Sequence, residues 1–343
     1  MDAKVLTQEL RVAISSSNGK NTPVLGHVLI EKGNLCTTDL TTYSVIDSPQ
    51  MPYDLVACVD CKDFLVIVKN MSGEISLTAD DTHLTVTSQS STMTLKLRNP
   101  EEFPEFPAVP ITEGYQTRVR SPELAEALKL TSIAACRDAS RYQLMAVVGT
   151  KGSIVASDGK RLAEYKLDIG DVKIPLSSVA TLQKALKLCE DGDDIIVRVI
   201  EGKPASFSTP CFTIIASSVY GNFPDYADLI PTEFNATAEV DAKALTKAVK
   251  TMEAGLEKDN KVVEIVLTDT LRVNTALGST VVPATVTGEA SAHYTTNFVL
   301  DGLKNHKGIV TFNITSKKGA SVIKARNYRY AFMPVMMPKV VQG

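Results

Sequence analysis

Lys243, Lys247 and Lys250 stand at i, i+4 and i+7, a spacing that lines three ammonium groups along one face of a helix and leaves Leu245, Ala248, Val249 and Met252 on the other. Lys184 and Lys187 repeat the arrangement at i, i+3, and so do Lys304 and Lys307. An ammonium is a compact, hydrated point charge that attracts a phosphate backbone loosely and without planar base readout. Any one of these lysines would sit equally well on a solvated helix face. Their repetition along the chain is what favours a surface that faces a polyanion.

Other chemistry is sparse. Cys58-Val59-Asp60-Cys61 is a single CxxC; a zinc ribbon needs a second pair and a thioredoxin-type site needs a βαβ context. The six cysteines, Cys36, Cys58, Cys61, Cys136, Cys189 and Cys211, are therefore expected as small buried hydrophobes. His27, His83, His293 and His306 are far apart in sequence, and there is no phosphate-binding glycine loop or nucleophile elbow. No catalytic site, metal or cofactor is expected. An enzyme built on Cys58/Cys61 or on the Asp158 to Arg161 turn is the rival class.

Composition sets the outer limits. With 44% hydrophobic and 22% charged residues, no apolar run near the ~20 residues of a membrane span, and no signal-type apolar region in MDAKVLTQEL, the expectation is a soluble, cytoplasmic protein without membrane contact. A net charge of −3 argues against a tight grip on nucleic acid through many phosphate contacts, but is compatible with surrounding it. At 343 residues the chain is long for a single core and suits two or three domains.

The elements that must position these residues recur. Glu9 to Ala13, Glu123 to Ala127 and Ala244 to Ala248 share an x-L-x-x-A core that opens a helical pattern, and their leucines lie 114 and 121 residues apart. β-Branched runs follow each one, at Val24 to Ile30, Ala146 to Val155 and Val262 to Val273, and read as strands and hairpins. Second helices are predicted at Asp63 to Lys69, Ser178 to Lys184 and Asn297 to Leu303. Phe64, Val179 and Phe298 sit 54, 55 and 53 residues after Leu10, Leu124 and Leu245. Glycine-led strands then begin at Gly73, Gly192 and Gly308. Each copy thus reads as two similar halves, and proline-rich links at Phe103 to Pro110 and Phe223 to Pro231 separate the copies. The expected domains are 1–116, 117–232 and 233–343, with net charges of −7, 0 and +4.

Three α+β copies in a chain of this length resemble the bacterial sliding clamp family, the beta subunit of DNA polymerase III. Ala156-Ser157-Asp158-Gly159-Lys160-Arg161-Leu162-Ala163 is similar to the family's A-T-D-G-H-R-L-A segment. Gly221-Asn222-Phe223-Pro224-Asp225-Tyr226 with Ile230-Pro231 is similar to its linker, and Tyr330-Ala331-Phe332-Met333-Pro334-Val335 to its terminal strand. The resemblance implies three repeated clamp domains, each with two helices packed on β-sheets, closed into a ring by head-to-tail homodimerisation. It also implies partners: encircled duplex DNA read without sequence choice, a DNA polymerase, a clamp loader and other proteins carrying clamp-binding motifs. A non-replicative peptide-binding scaffold is the alternative.

Carried over residue by residue, the resemblance places a partner-peptide pocket at Leu144, Ser157, Gly159, Lys160, Arg161, Leu162, Pro224, Leu229, Met333, Pro334 and Val335. It places DNA-facing groups at Lys20, Arg137, Arg141 and Tyr142 beside Lys184, Lys187, Lys243, Lys247, Lys250, Lys304 and Lys307. The chain departs from the family pattern at Lys160, where histidine is common, at Asp228, where arginine is common, and in the extension Pro338 to Gly343. A second Met-Pro, Met337-Pro338, competes for the terminal match, but the spacing from Tyr330 favours Met333.

Overall fold

The chain is described as a computed structural model covering residues 1–108, 113–190, 192–257 and 261–336. Pro110, Met337 and the Pro338 to Gly343 extension lie outside the described residues.

All six helices predicted from periodicity form: α1 (Ala3–Ala13), α2 (Cys61–Asn70), α3 (Ser121–Thr131), α4 (Leu176–Ala185), α5 (Ala242–Glu253) and α6 (Thr296–Leu303). Three begin on an aspartate whose carboxylate accepts orphan backbone N–H groups: Asp2 caps α1, Asp60 caps α2 and Asp241 caps α5. Each helix buries a stripe. In α1 it includes Leu6, Leu10 and Ala13, and in α5 it is Ala242, Leu245, Ala248 and Val249. α1 packs against α2, and α5 against α6.

Strands fill the rest in antiparallel meanders. The run Val24 to Ile30 is only partly a strand, because Pro23 presets the first position of a short 3-10 turn, Pro23–Gly26, and the strand starts at His27. A proline also divides two strands in the third copy. Pro283, which cannot donate to a ladder, separates Gly278–Val282 from Ala284–Gly288, and these two strands enter different sheets.

Two compact units emerge, each drawing on part of the middle copy: residues 1–128, 149–151 and 168–220 form one, and residues 129–148, 152–167 and 221–343 the other. The expected boundary at 116 falls inside strand Tyr115–Arg120.

In the first unit, an eight-stranded sheet joins two copies edge to edge. Strand Thr42–Asp47, third in the first half of copy one, pairs with Phe212–Ala216, the last strand of copy two, from Thr42 opposite Ala216 to Ile46 opposite Phe212.

The second unit repeats the join. Strand Arg161–Tyr165, third after the first helix of copy two, pairs with Tyr328–Phe332, the last strand of copy three, from Arg161 opposite Phe332 to Tyr165 opposite Tyr328. Beneath that join Tyr294, Phe312 and Phe332 pack as a buried aromatic cluster with ring centroids 5.0 to 6.0 Å apart.

One buried charge opposes folding. Glu9 on α1 is 7% exposed and accepts a 2.7 Å bond from Ser48 Oγ. Desolvation pushes its carboxyl above the usual range despite that bond. A raised acid is neutral and unpenalised at low pH, and stability is lost as pH rises from the unfolded carboxylate range through the folded value. Glu9→Gln, which keeps an acceptor for Ser48, should therefore raise the melting temperature at neutral pH, with the gain fading as pH falls to the unfolded carboxylate range. A lower melting temperature at pH 7 would mean that the ionised carboxylate stabilises this position.

Candidate functional site

The second unit contains an apolar cavity of about 220 Å³. One wall is the tight turn between strands Ser153–Ser157 and Arg161–Tyr165. Asp158 Oδ1 accepts from the backbone N–H groups of Lys160 and Arg161 at 2.9 and 3.0 Å, while Ser157 Oγ accepts from Gly159 N at 3.0 Å and donates to Arg161 O at 2.8 Å. Gly159 sits at φ +83°, where a side chain would be strained. Arg141 Nη1 donates to Asp158 O at 2.7 Å and braces this turn.

Of the predicted pocket residues, Leu144, Ser157, Gly159, Lys160, Arg161, Leu162, Pro224, Leu229 and Met333 line the cavity. Leu229 and Met333 stay 62% and 44% exposed, so apolar surface remains for a ligand to cover. Pro334 and Val335 do not line it. Met333 N donates to Lys160 O and Val335 N to His293 O, which carries the chain away from the cavity.

Phe223, Tyr226, Ile230, Ala320, Ala331 and Phe332 line it as well, and sequence reasoning missed them. Ala331 was within reach, since strand alternation puts it on the face of Met333. Phe223 and Tyr226 belong to the quoted linker, and they meet edge to face at 6.3 Å.

The floor is firm. Leu162, Tyr226, Ile230, Val155, Val322 and Ala331 form one buried cluster. Below it the buried Glu164 accepts from Arg329 Nε at 2.6 Å and from Lys166 Nζ at 3.1 Å. Burial alone would raise this carboxyl, but its bonds to Lys166, Arg329 and Ser153 hold it below the usual range.

Arg161 is fully engaged. It pairs with Asp158 at 2.9 Å and with Asp301 of α6, and it lies 5.0 Å from the centre of the Phe298 ring. Burial would lower its pKa, but Tyr330, Asp301 and Asp158 more than offset that and keep the guanidinium charged.

On the α5–α6 pair, Lys243, Lys247, Lys250 and Lys304 converge on an open groove of about 670 Å³ with Asp301 and His306. All four ammonium groups are exposed, and none is within ion-pair distance of a carboxylate among the described residues. Lys307, Arg137 and Tyr142 are exposed outside this groove, and Lys20, Lys184 and Lys187 are exposed on the first unit. Arg141, predicted at a DNA-facing rim, spends one guanidinium nitrogen on the Asp158 turn.

The CxxC cysteines are buried at the start of α2 and in the strand before it. Desolvation pushes Cys58 up to about 11 and Cys61 up to about 12, which makes both poor nucleophiles at neutral pH.

No family model matches the chain. A beta sliding clamp of Chlamydia pneumoniae is 29% identical over 247 residues, covering 66% of each chain. One from Streptomyces coelicolor is 25% identical and covers 77% of each. A DNA polymerase III beta subunit of Thermotoga maritima superposes with a TM-score of 0.87 at 23% identity, over 98% of this chain and 99% of that one. The chain is thus similar to beta sliding clamps in sequence and shares their fold. A clamp of Bartonella birtlesii bound to griselimycin superposes with a TM-score of 0.85 at 22% identity, over 98% and 99% of the two chains. The three-domain α+β clamp fold thus extends over nearly the whole chain.

Proposed function

We propose that the chain is a DNA sliding clamp without catalytic activity of its own. Two copies close head to tail around duplex DNA, and the ring tethers a replicative polymerase, its loader and other proteins with clamp-binding motifs. The repeats take the bounds 1–116, 117–232 and 233–343. The pocket residues would hold the partner peptide, and the exposed lysines would face DNA. No described helix is long and apolar enough to cross a membrane, and a cytoplasmic site fits this role.

One observation carries the reading. The edge pairing that joins copy one to two and copy two to three leaves a third, equivalent pair of edges with no strand partner among the described residues. These are Gly278–Val282, third strand after the first helix of copy three, and Thr92–Lys96, last strand of copy one, each at the margin of its sheet. A second copy can satisfy both edges by the same rule and close a two-fold ring. Apolar side chains stand at these margins: Met93 is 49% exposed, Leu277 69% and Val281 53%. The charges of copies one and three, −7 and +4, favour this contact over like with like.

Encirclement is tested by topology. Protein loaded on nicked circular DNA should be retained through gel filtration and lost once the circle is cut; equal retention on linear DNA would overturn the ring. Ring closure has its own test. Leu277→Asp with Val281→Asp should weaken dimerisation roughly 100-fold, as loss of interface anchors does, and sedimentation should then report monomer. An unchanged dimer would place the interface elsewhere.

A further inference from the structure

Lys160 lines the cavity, and Asp228, of opposite charge, adjoins the lining residue Leu229. Lys160 is exposed, and its backbone ties the two walls together, donating to Asp158 Oδ1 and accepting from Met333 N at 3.0 Å. Its ammonium pairs with no carboxylate among the described residues. Arg161 beside it is already held by Asp158 and Asp301, so Lys160 is the cation of this wall that is left to meet an incoming anion. Asp228 sits exposed in the turn Ala227–Leu229, beside the lining residue Leu229, and it too pairs with no cation among the described residues.

We infer that the pocket selects a charge-polar peptide, whose apolar anchors are flanked by an acidic residue that meets Lys160 and a basic residue that meets Asp228. This deepens the pocket reading and rests on it. Apolar burial between the walls supplies most of the affinity. The charges of Lys160 and Asp228 set the order of charges along the bound peptide, because the reversed order places like charges together at both ends.

Three short peptides with the same leucine and phenylalanine anchors test this. One carries glutamate before the anchors and lysine after them, the second has these exchanged, and the third has glutamine at both positions. Fluorescence anisotropy with the full-length protein at low salt should show a preference of roughly 5- to 20-fold for one charged order, the neutral peptide falling between, as exposed ion pairs and their reversal allow. The preference should shrink as salt rises and should invert in the Lys160→Glu, Asp228→Lys double variant. Both positions are exposed, and thermal melting checks that the variant folds. Equal affinity of the two charged peptides for the wild type, or a preference that survives the double substitution unchanged, would overturn the inference while leaving the pocket in place. Failure of all three peptides to bind would overturn the pocket assignment and the inference with it.

Discussion

Replacing Lys243, Lys247 and Lys250 together with glutamate is expected to reduce direct affinity for duplex DNA on the order of 100-fold at low salt, and to flatten the log-affinity against log-salt slope by about 2 to 3. The slope is the sharper readout, because each lost lysine–phosphate contact removes about 0.9 of it for double-stranded DNA. The fold should survive. These side chains are exposed, and the helix is held by Ala242, Leu245, Ala248 and Val249 on its opposite face. Glutamate at 243 lies in the first turn, where the helix dipole favours it, and glutamate at 250 lies in the last, where it costs about 0.3 to 1 kcal/mol, so helix stability changes little. Anisotropy between about 50 and 200 mM salt gives the slope, and circular dichroism monitors the helix. Lys307→Glu, exposed but outside the groove, provides the comparison and should cost less. Wild-type affinity and slope in the triple variant would reduce the stripe to a solvated helix face.

Much of this arrangement was legible in the chain because local rules repeat in it. Leucine and alanine spacings of 3.6-residue period located the helices, and the recurrence of Phe64, Val179 and Phe298 at near-equal distances from the preceding leucines located the second half of each copy. The lysine stripes could be read for the same reason, since residues that share a face of one helix need no tertiary information. What stayed hidden depends on contacts distant in sequence. The pairing of Arg161 with Asp301 spans 140 residues, and nothing local reveals that it leaves Lys160 as the free cation of that wall. Arg141 could be recognised as a cation but not as the brace of a turn 17 residues away. Pro23 and Pro283 show the opposite case. Both are visible signals, yet the β-branched run after Pro23 masked the turn there, and no run was read on either side of Pro283, where the chain changes sheet.

The pocket itself meets its most demanding test in the variant Leu162→Ala, Met333→Ala. Binding of a short glutamine-led peptide with leucine and phenylalanine anchors should weaken by roughly 1 to 4 kcal/mol, the range for truncated hot-spot side chains. The two substitutions act differently. Met333 is 44% exposed at the mouth, so removing its flexible thioether takes away contact with the peptide and little from the core. Leu162 is 6% exposed within the cluster of Tyr226, Ile230 and Ala331, and its truncation also opens a cavity, at a cost of about 2 to 5 kcal/mol in folding stability. Peptide affinity must therefore be measured below the melting transition of the double variant, and Met333→Ala alone should already weaken binding while leaving the melting temperature close to wild type. Met333→Leu, similar in volume and apolar character, should restore most of the affinity. If Met333→Ala binds as tightly as wild type and only Leu162→Ala weakens binding, in step with its loss of stability, then the cavity is a packing feature of the second unit and the peptide docks elsewhere.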